Sequence, residues 1–280
     1  MRIFSSIKAV QKNLKPLWGK KWIGFVPTMG ALHEGHLSLM RKARQECDRV
    51  VVSIFVNPLQ FGPKEDFKTY PRTLASDRKK AESAGADLLW TPSAEEIYPA
   101  PYRTYIEVEA LGSRWEGASR PGHFRGVATV VAKLLQVVRP DRLYLGQKDY
   151  QQTCVIRQMI RDLHFSAALR LVPTRREKDG LAMSSRNERL SPADRQAAPV
   201  LYQALQQAGR IVRQGERDSQ KILQQVESVL RSEPRAVIDY AALCDPETLE
   251  PIERLHKKAV LLLAVKIGPV RLIDNLFLNV

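Results

Sequence analysis

Apolar residues alternate between two rhythms along the first two-thirds of this chain. WIGFVPT, residues 22–28, is a short apolar run that predicts a strand. HLSLMRKARQECD, 36–48, places Leu37, Leu39, Met40 and Ala43 on the apolar face of an amphipathic helix. RVVVSIFVN, 49–57, is continuous and β-branched, the pattern of a parallel strand covered on both faces. These three segments form one βαβ unit. Further on, the pattern predicts a helix over 75–87 that ends near Gly85, then the strand DLLWTP. A helix over 126–140 is stopped by Pro140, and a strand follows over 141–149. The next helix spans 149–164 with Asp149 as its N-cap, and a strand spans 167–175. Such alternation predicts an α/β fold, a Rossmann-like, doubly wound parallel sheet with helices on both faces.

The rhythm changes after about residue 174. RREKDGLAMSSRNERLS is polar and loop-like, and Ser191 caps a helix. Another helix falls near 217–232, and strand-like pieces lie in AVIDYAALCD and AVLLLAVKIGPVRLIDN. The expected organisation is residues 1–174 as the Rossmann-like domain and 175–280 as a smaller α+β domain.

Composition narrows the function. No apolar stretch reaches the roughly 18 residues of a membrane span. The opening MRIFSSIKAVQKNLK lacks the apolar core of a secretory signal. Three cysteines without CxxC spacing argue against a disulfide framework or structural zinc, so the expected compartment is the reducing cytoplasm. The net charge of +14 suits anionic ligands. However, the basic residues are dispersed and only 7% of residues are aromatic, so a nucleic-acid-binding module is disfavoured.

Two stretches carry candidate chemistry. His33-Glu34-Gly35-His36 follows the first strand and opens a helix, where free N–H groups and the helix dipole favour phosphate. Gly30 and Gly35 let the backbone come close. Taken alone, this HxGH is equally a pair of solvated turn histidines. Neither GxGxxG nor GxxxxGK[ST] is present. The second stretch, KDGLAMSSRN, offers Ser184, Ser185 and Arg186, whose hydroxyls and guanidinium suit phosphate oxygens; taken alone, it is equally a solvated loop. Together the two stretches resemble the HIGH and KMSKS pair of class I aminoacyl-tRNA synthetases. Gln60 and Gln152 each follow a strand end, Lys148 is placed to reach a phosphate, and Arg120, His123 and Arg125 form a further polar group.

PTMGALHEGH, NPLQFG, YPRT, RPGHFRGV, GQKDYQQ and GLAMSSRN, over about residues 26 to 187, resemble in order and spacing the motifs of the pantoate–β-alanine ligase family. The resemblance implies condensation of pantoate with β-alanine through pantoyl adenylate, with ATP as co-substrate and Mg2+. It implies that Met29, Gly30, Ala31, Leu32, His33, Glu34, Gly35 and His36 line the ATP site, with the two histidines on the phosphates and His36 as proton donor. It also assigns Gly146, Gln147, Lys148, Asp149, Arg175, Met183, Ser184, Ser185 and Arg186 to ATP. Lys148 and Arg186 join the two histidines as catalytic residues. Gln60 would hold pantoate and border the β-alanine path, Gln152 would hold pantoate, and Asn57 and Tyr70 would line the cleft. Asp77 is the candidate magnesium-associated residue. Gln147 stands where many members carry glutamate, and Arg175 where many carry a small apolar residue. A homodimer and a C-terminal lid domain are further expectations of the family, with no nucleic-acid or membrane partner.

Overall fold

The computed structural model describes residues 1–63 and 65–280. The chain divides into two compact units, each described by itself. The first comprises Met1–Ser113, Arg120–Gln147 and Gln152–Pro173, and the second Arg114–Ser119, Lys148–Gln151 and Thr174–Val280.

The first unit is built on strands β1 (Arg2–Phe4), β2 (Ile23–Thr28), β3 (Arg49–Ile54), β4 (Leu88–Trp90), β5 (Arg142–Gly146) and β6 (Ala168–Val172). All pair in parallel, in the order β1-β4-β3-β2-β5-β6. The helices are α1 (Ile7–Leu14), α2 (Glu34–Glu46), α3 (Leu74–Ser83), α4 (Ala94–Ile97), α5 (Glu116–Ser119, of the second unit), α6 (His123–Val138) and α7 (Tyr150–Asp162). From β2 the chain builds outward through β3 and β4, then resumes on the other side with β5 and β6. The strand order therefore reverses between β2 and β5, and ligands of open parallel sheets bind beyond the carboxyl ends at such a point. Thr28 and Gly146 are the last residues of those two strands. Strand β3 is buried from Val50 to Ser53, as its unbroken apolar run requires. Leu37, Leu39, Met40 and Ala43 of α2 pack against it with Val26, Leu89 and Tyr144. A cavity of about 460 Å³ lies at the opposite, amino ends of β1, β3 and β4.

The second unit holds α8 (Pro192–Ala197), α9 (Val200–Arg213), α10 (Ser219–Arg231) and an antiparallel sheet of β7 (Ala236–Cys244), β8 (Lys258–Ile267) and β9 (Val270–Asn279). AVLLLAVKIGPVRLIDN is thus a hairpin that turns at Gly268, whose φ is +55°. Leu201, Leu205 and Val212 of α9 and Ile222, Val226 and Leu230 of α10 share a core with Leu261, Leu263 and Leu272.

The segment 114–119 is bound into this second unit. Trp115 Nε1 donates to the Leu249 carbonyl (2.9 Å), and Arg271 Nη1 bonds both Glu116 oxygens (2.8 and 2.7 Å). Gln151 bridges the Arg114 carbonyl (2.8 Å) and the Glu116 N–H (3.1 Å). The backbone therefore passes between units several times, and no single boundary at 174/175 divides it. Among the described residues, no helix is long and apolar enough to cross a membrane.

Candidate active site

Beyond β2 the chain makes a turn of two successive residues with positive φ, Gly30 (+87°) and Ala31 (+48°). Gly30 suits its place on two counts, since that φ disfavours a side chain and a Cβ would lie 3.1 Å from both Asp77 Oδ2 and Ile54 Cγ2. Ala31 has no such freedom, so the surroundings must hold it. Asp77 of α3 does so by accepting the Ala31 N–H (3.0 Å) and the Leu32 N–H (2.8 Å), and Thr73 Oγ1 donates to it (3.1 Å). Lys80, one turn later, donates to the Leu32 carbonyl (2.6 Å). Thr28 Oγ1 accepts the Gly30 N–H (3.2 Å) and donates to the Ser53 carbonyl (2.8 Å).

Asp77, the residue the resemblance associates with magnesium, is found here as a brace of this turn. Its carboxylate is 1% exposed, and both oxygens are engaged by the turn it braces. Among the described residues, no group of three His, Cys, Asp or Glu side chains is placed to hold a metal. Asp77→Ala should strand the Ala31 and Leu32 N–H groups and destabilise the fold by about 2–6 kcal/mol, at ~1–3 per donor. Urea denaturation midpoints check this, and an unchanged midpoint would show the brace to be dispensable.

The turn leads into α2, which starts two residues earlier than expected. His33 is its N-cap, with φ −129° and ψ 175°. His33 Nδ1 accepts the Gly35 N–H (3.2 Å), and His36 Nδ1 accepts the His33 N–H (3.4 Å). HxGH is therefore a reciprocal capping box, with imidazole nitrogens in the places usually taken by a Ser or Thr oxygen and a Glu or Gln oxygen. The chemistry follows from this local fold. An Nδ1 that accepts a hydrogen bond carries no proton, so each neutral ring bears its proton on Nε2. The two rings lie 4.1 Å apart between centroids, at the positive end of a helix. This arrangement suits an anion that gains charge during reaction.

Gln60 is brought to this turn, its Nε2 lying 3.1 Å from Met29 Sδ. It ends a short 3-10 turn, Pro58–Gln60, capped by Asn57 Oδ1 on the Leu59 N–H (3.3 Å). Asn57 Nδ2 donates to Gln60 Oε1 (3.2 Å) and to the Gly126 carbonyl (3.1 Å), which fixes the orientation of the Gln60 amide. The Tyr98 hydroxyl donates to Asn57 Oδ1 (2.8 Å), and burial pushes its pKa up, so it remains a donor. His123 Nδ1 lies 2.8 Å from the Gln60 carbonyl, and Arg120 Nη1 lies 3.2 Å from His123 Nε2. A carbonyl only accepts and a guanidinium only donates, so this geometry suits a proton on His123 Nδ1 and an accepting Nε2. Arg120 also forks onto Glu65 (2.8 and 2.5 Å). Helix α6 starts at His123, three residues before its apolar rhythm, which is how this polar turn reaches Gln60.

Burial raises the Glu65 carboxyl, but the hydrogen bonds and charge of Arg120 outweigh it and hold the group below its ordinary 4.5. A depressed carboxylate stabilises the fold above that value and loses its contribution as pH falls through the lower folded pKa. Wild type should therefore melt above Glu65→Gln at pH 7, and the gap should close as the pH falls below 4.5 and through the lower folded pKa. Thermal melts across that range check it, and a pH-independent gap would refute the linkage. Glu65 and Tyr98 were not legible as site residues, because their partners lie 55 and 41 positions away. Gln152 lies in the first turn of α7, half-buried. Gly146 and Gln147 stand at the carboxyl end of β5.

The remaining candidates belong to the second unit. Lys148 Nζ lies 3.3 Å from Asp149 Oδ1, and a 3-10 turn over Gln147–Asp149 precedes α7. Residues 175–183 form a tight hairpin, closed by Met183 N to the Arg175 carbonyl (2.9 Å) and Glu177 N to the Leu181 carbonyl (2.8 Å). Ser184 then caps the 3-10 turn Ser185–Arg189, its Oγ accepting the Arg186 N–H (3.3 Å). Arg175 is exposed, whereas its neighbour Arg176, not singled out from the sequence, is held by Asp274.

The family model described as pantoate-beta-alanine ligase matches residues 2–277. A pantothenate synthetase of Heliobacterium modesticaldum is 56% identical over 258 residues, 92% of each chain. The crystal structure of pantothenate synthetase from Thermus thermophilus is similar at TM-score 0.95 and 49% identity, covering 99% of both chains. A pantoate-beta-alanine ligase from Francisella tularensis, complexed with beta-gamma ATP and beta-alanine, is similar at TM-score 0.82 and 39% identity, covering 99% of this chain and 97% of that one.

Proposed function

The chain belongs to the pantoate–β-alanine ligase family, and on that premise we propose that it activates pantoate as pantoyl adenylate before amide formation. The overall reaction condenses pantoate with β-alanine at the expense of ATP, giving pantothenate, AMP and pyrophosphate. A carboxylate is a poor electrophile. Attack of the pantoate carboxylate on the α-phosphorus expels pyrophosphate and leaves an acyl phosphate ester, and the β-alanine amine then displaces AMP. Positioning and charge neutralisation are the tools that such chemistry needs.

The observation that carries the reading is the meeting of Gln60 with Met29. It puts an oriented amide, able to hold the hydroxyls and carboxylate of pantoate, on the turn that opens into the two imidazoles. His33 and His36 donate Nε2–H to the phosphates as charge moves onto the leaving pyrophosphate. Gln152 holds pantoate with Gln60. Lys148, Arg186, Ser184 and Ser185 are assigned to the nucleotide, and residues 175–280 to keeping water from the adenylate. The beta-gamma ATP and beta-alanine complexed with the Francisella relative support ATP and β-alanine as substrates. We assign magnesium to the nucleotide substrate, held mainly by phosphate oxygens and water. We further assign the enzyme to the cytoplasm as a homodimer, which a solution mass measurement tests.

The deciding assay is exchange of pyrophosphate into ATP with pantoate and with a panel of amino acids. The reading requires exchange with pantoate alone, and AMP release only when pantoate, β-alanine and ATP are together. Exchange with an amino acid but none with pantoate would overturn it.

A further inference from the structure

Strand β9 reads RLIDNLFL, an apolar run interrupted by Asp274 and Asn275, which are 4% and 2% exposed. Burying two neighbouring polar side chains in the middle of a strand is costly unless both are satisfied. Apolar residues of similar volume would fold as well or better. What the two residues hold is therefore informative. Asn275 Nδ2 donates to the Lys148 carbonyl (2.9 Å). Asp274 takes both arms of the Arg176 guanidinium (2.6 and 3.0 Å). Arg176 in turn donates to the Gly180 carbonyl (3.0 Å) and lies 4.4 Å over the Tyr202 ring. Gly180 has a φ of +92°, and a Cβ there would fall 1.9 Å from Tyr202 Cδ1. The hairpin 175–183 is thus pinned through Arg176 and at its tip, directly before Ser184, Ser185 and Arg186.

We propose that Asp274 and Asn275 are positioning residues for catalysis, one pair on the last strand that sets both nucleotide-directed segments of the second unit. Asn275 fixes the backbone of the Lys148 turn, and so the point from which the ammonium reaches. Asp274 fixes the hairpin that delivers Arg186. The inference rests on Lys148 and Arg186 acting on the nucleotide, as read above. It explains why the C-terminal strand interrupts its own apolar pattern at two adjacent positions.

The test is a double-mutant comparison on the full-length enzyme, read by pantoate-dependent pyrophosphate exchange. Asn275→Leu should lower kcat for exchange about tenfold, the effect of one lost hydrogen bond. Added to Lys148→Ala, it should cost less than a further twofold, because the side chain it positions is already gone. Arg176→Lys, which keeps the charge but loses the fork, should behave in the same way toward Arg186→Ala. A structural role alone would lower both backgrounds equally, so losses that multiply would overturn the proposal. No loss from Asn275→Leu in wild type would also overturn it. If Asn275→Leu does not fold, Asn275→Ser, too short to reach the Lys148 carbonyl, is read by the same criteria. Wild-type exchange that ignores pantoate would defeat the functional reading instead, and so separates the two failures.

Discussion

Replacing His36 with glutamine should lower pantoate-dependent pyrophosphate exchange by about a hundredfold to a thousandfold while barely moving the melting temperature. The choice of glutamine follows from the local fold. On the proposed reading His36 does two things at once, since its Nδ1 accepts the His33 N–H and its ring would supply the Nε2 proton. Glutamine is at home at the third position of a capping box and can accept the same N–H, but it has no imidazole. Alanine removes both functions and should also cost about 1 kcal/mol of helix capping. His33→Asn is the matching experiment at the N-cap, where asparagine is among the best residues. If His36→Gln turned over near the wild-type rate, the pair would be a helix cap and nothing more, and the phosphate assignment would fall.

Gly126→Ala should be the most damaging conservative change away from the histidines. In a helix interior, glycine to alanine ordinarily gains up to about 1 kcal/mol. Here a Cβ would sit 2.2 Å from the Leu59 carbonyl oxygen, 2.4 Å from its carbon and 2.7 Å from Gln60 N. These are backbone atoms and cannot rotate aside, so α6 and the Pro58–Gln60 turn must separate. Overpacking of this kind costs about 1–3 kcal/mol, which outweighs the propensity gain. The displaced group is the one proposed to hold pantoate, so on that reading KM for pantoate should rise at least about tenfold while KM for ATP changes little. A variant that melts higher than wild type with normal pantoate KM would show that this contact does not seat Gln60.

Much of the architecture was legible because burial leaves a periodic trace. The run 49–57 and the stripe through Leu37, Met40 and Ala43 announce β3 and α2, and the alternation announces the parallel sheet. What escaped was contact that leaves no period. β1 is three residues long and pairs with β4, some 86 positions away, and α1 follows it unannounced. The apolar pattern places the start of α2 at His36 because histidine is not an ordinary capping residue, although HxGH spells the cap once the imidazoles are read as acceptors. The brace made by Asp77 is silent in sequence, because a lone acidic residue shows nothing of the backbone N–H groups 45 and 46 positions before it. The C-terminal hundred residues add little as a motif, yet Asn275 reaches 127 positions back to Lys148. Only the interruption of an apolar strand marks it.

Glu116 and Gln151 make the two halves of this gene inseparable. A protein engineer who wished to graft the C-terminal portion of one relative onto the front of another would find no clean crossover at residue 173. The incoming Arg271 must meet a carboxylate encoded 155 codons upstream, and the incoming Leu249 carbonyl must meet a tryptophan encoded 134 upstream. Working chimaeras would have to exchange three stretches together, the long tail and two short inserts, and recombination by a single break should yield mostly insoluble hybrids.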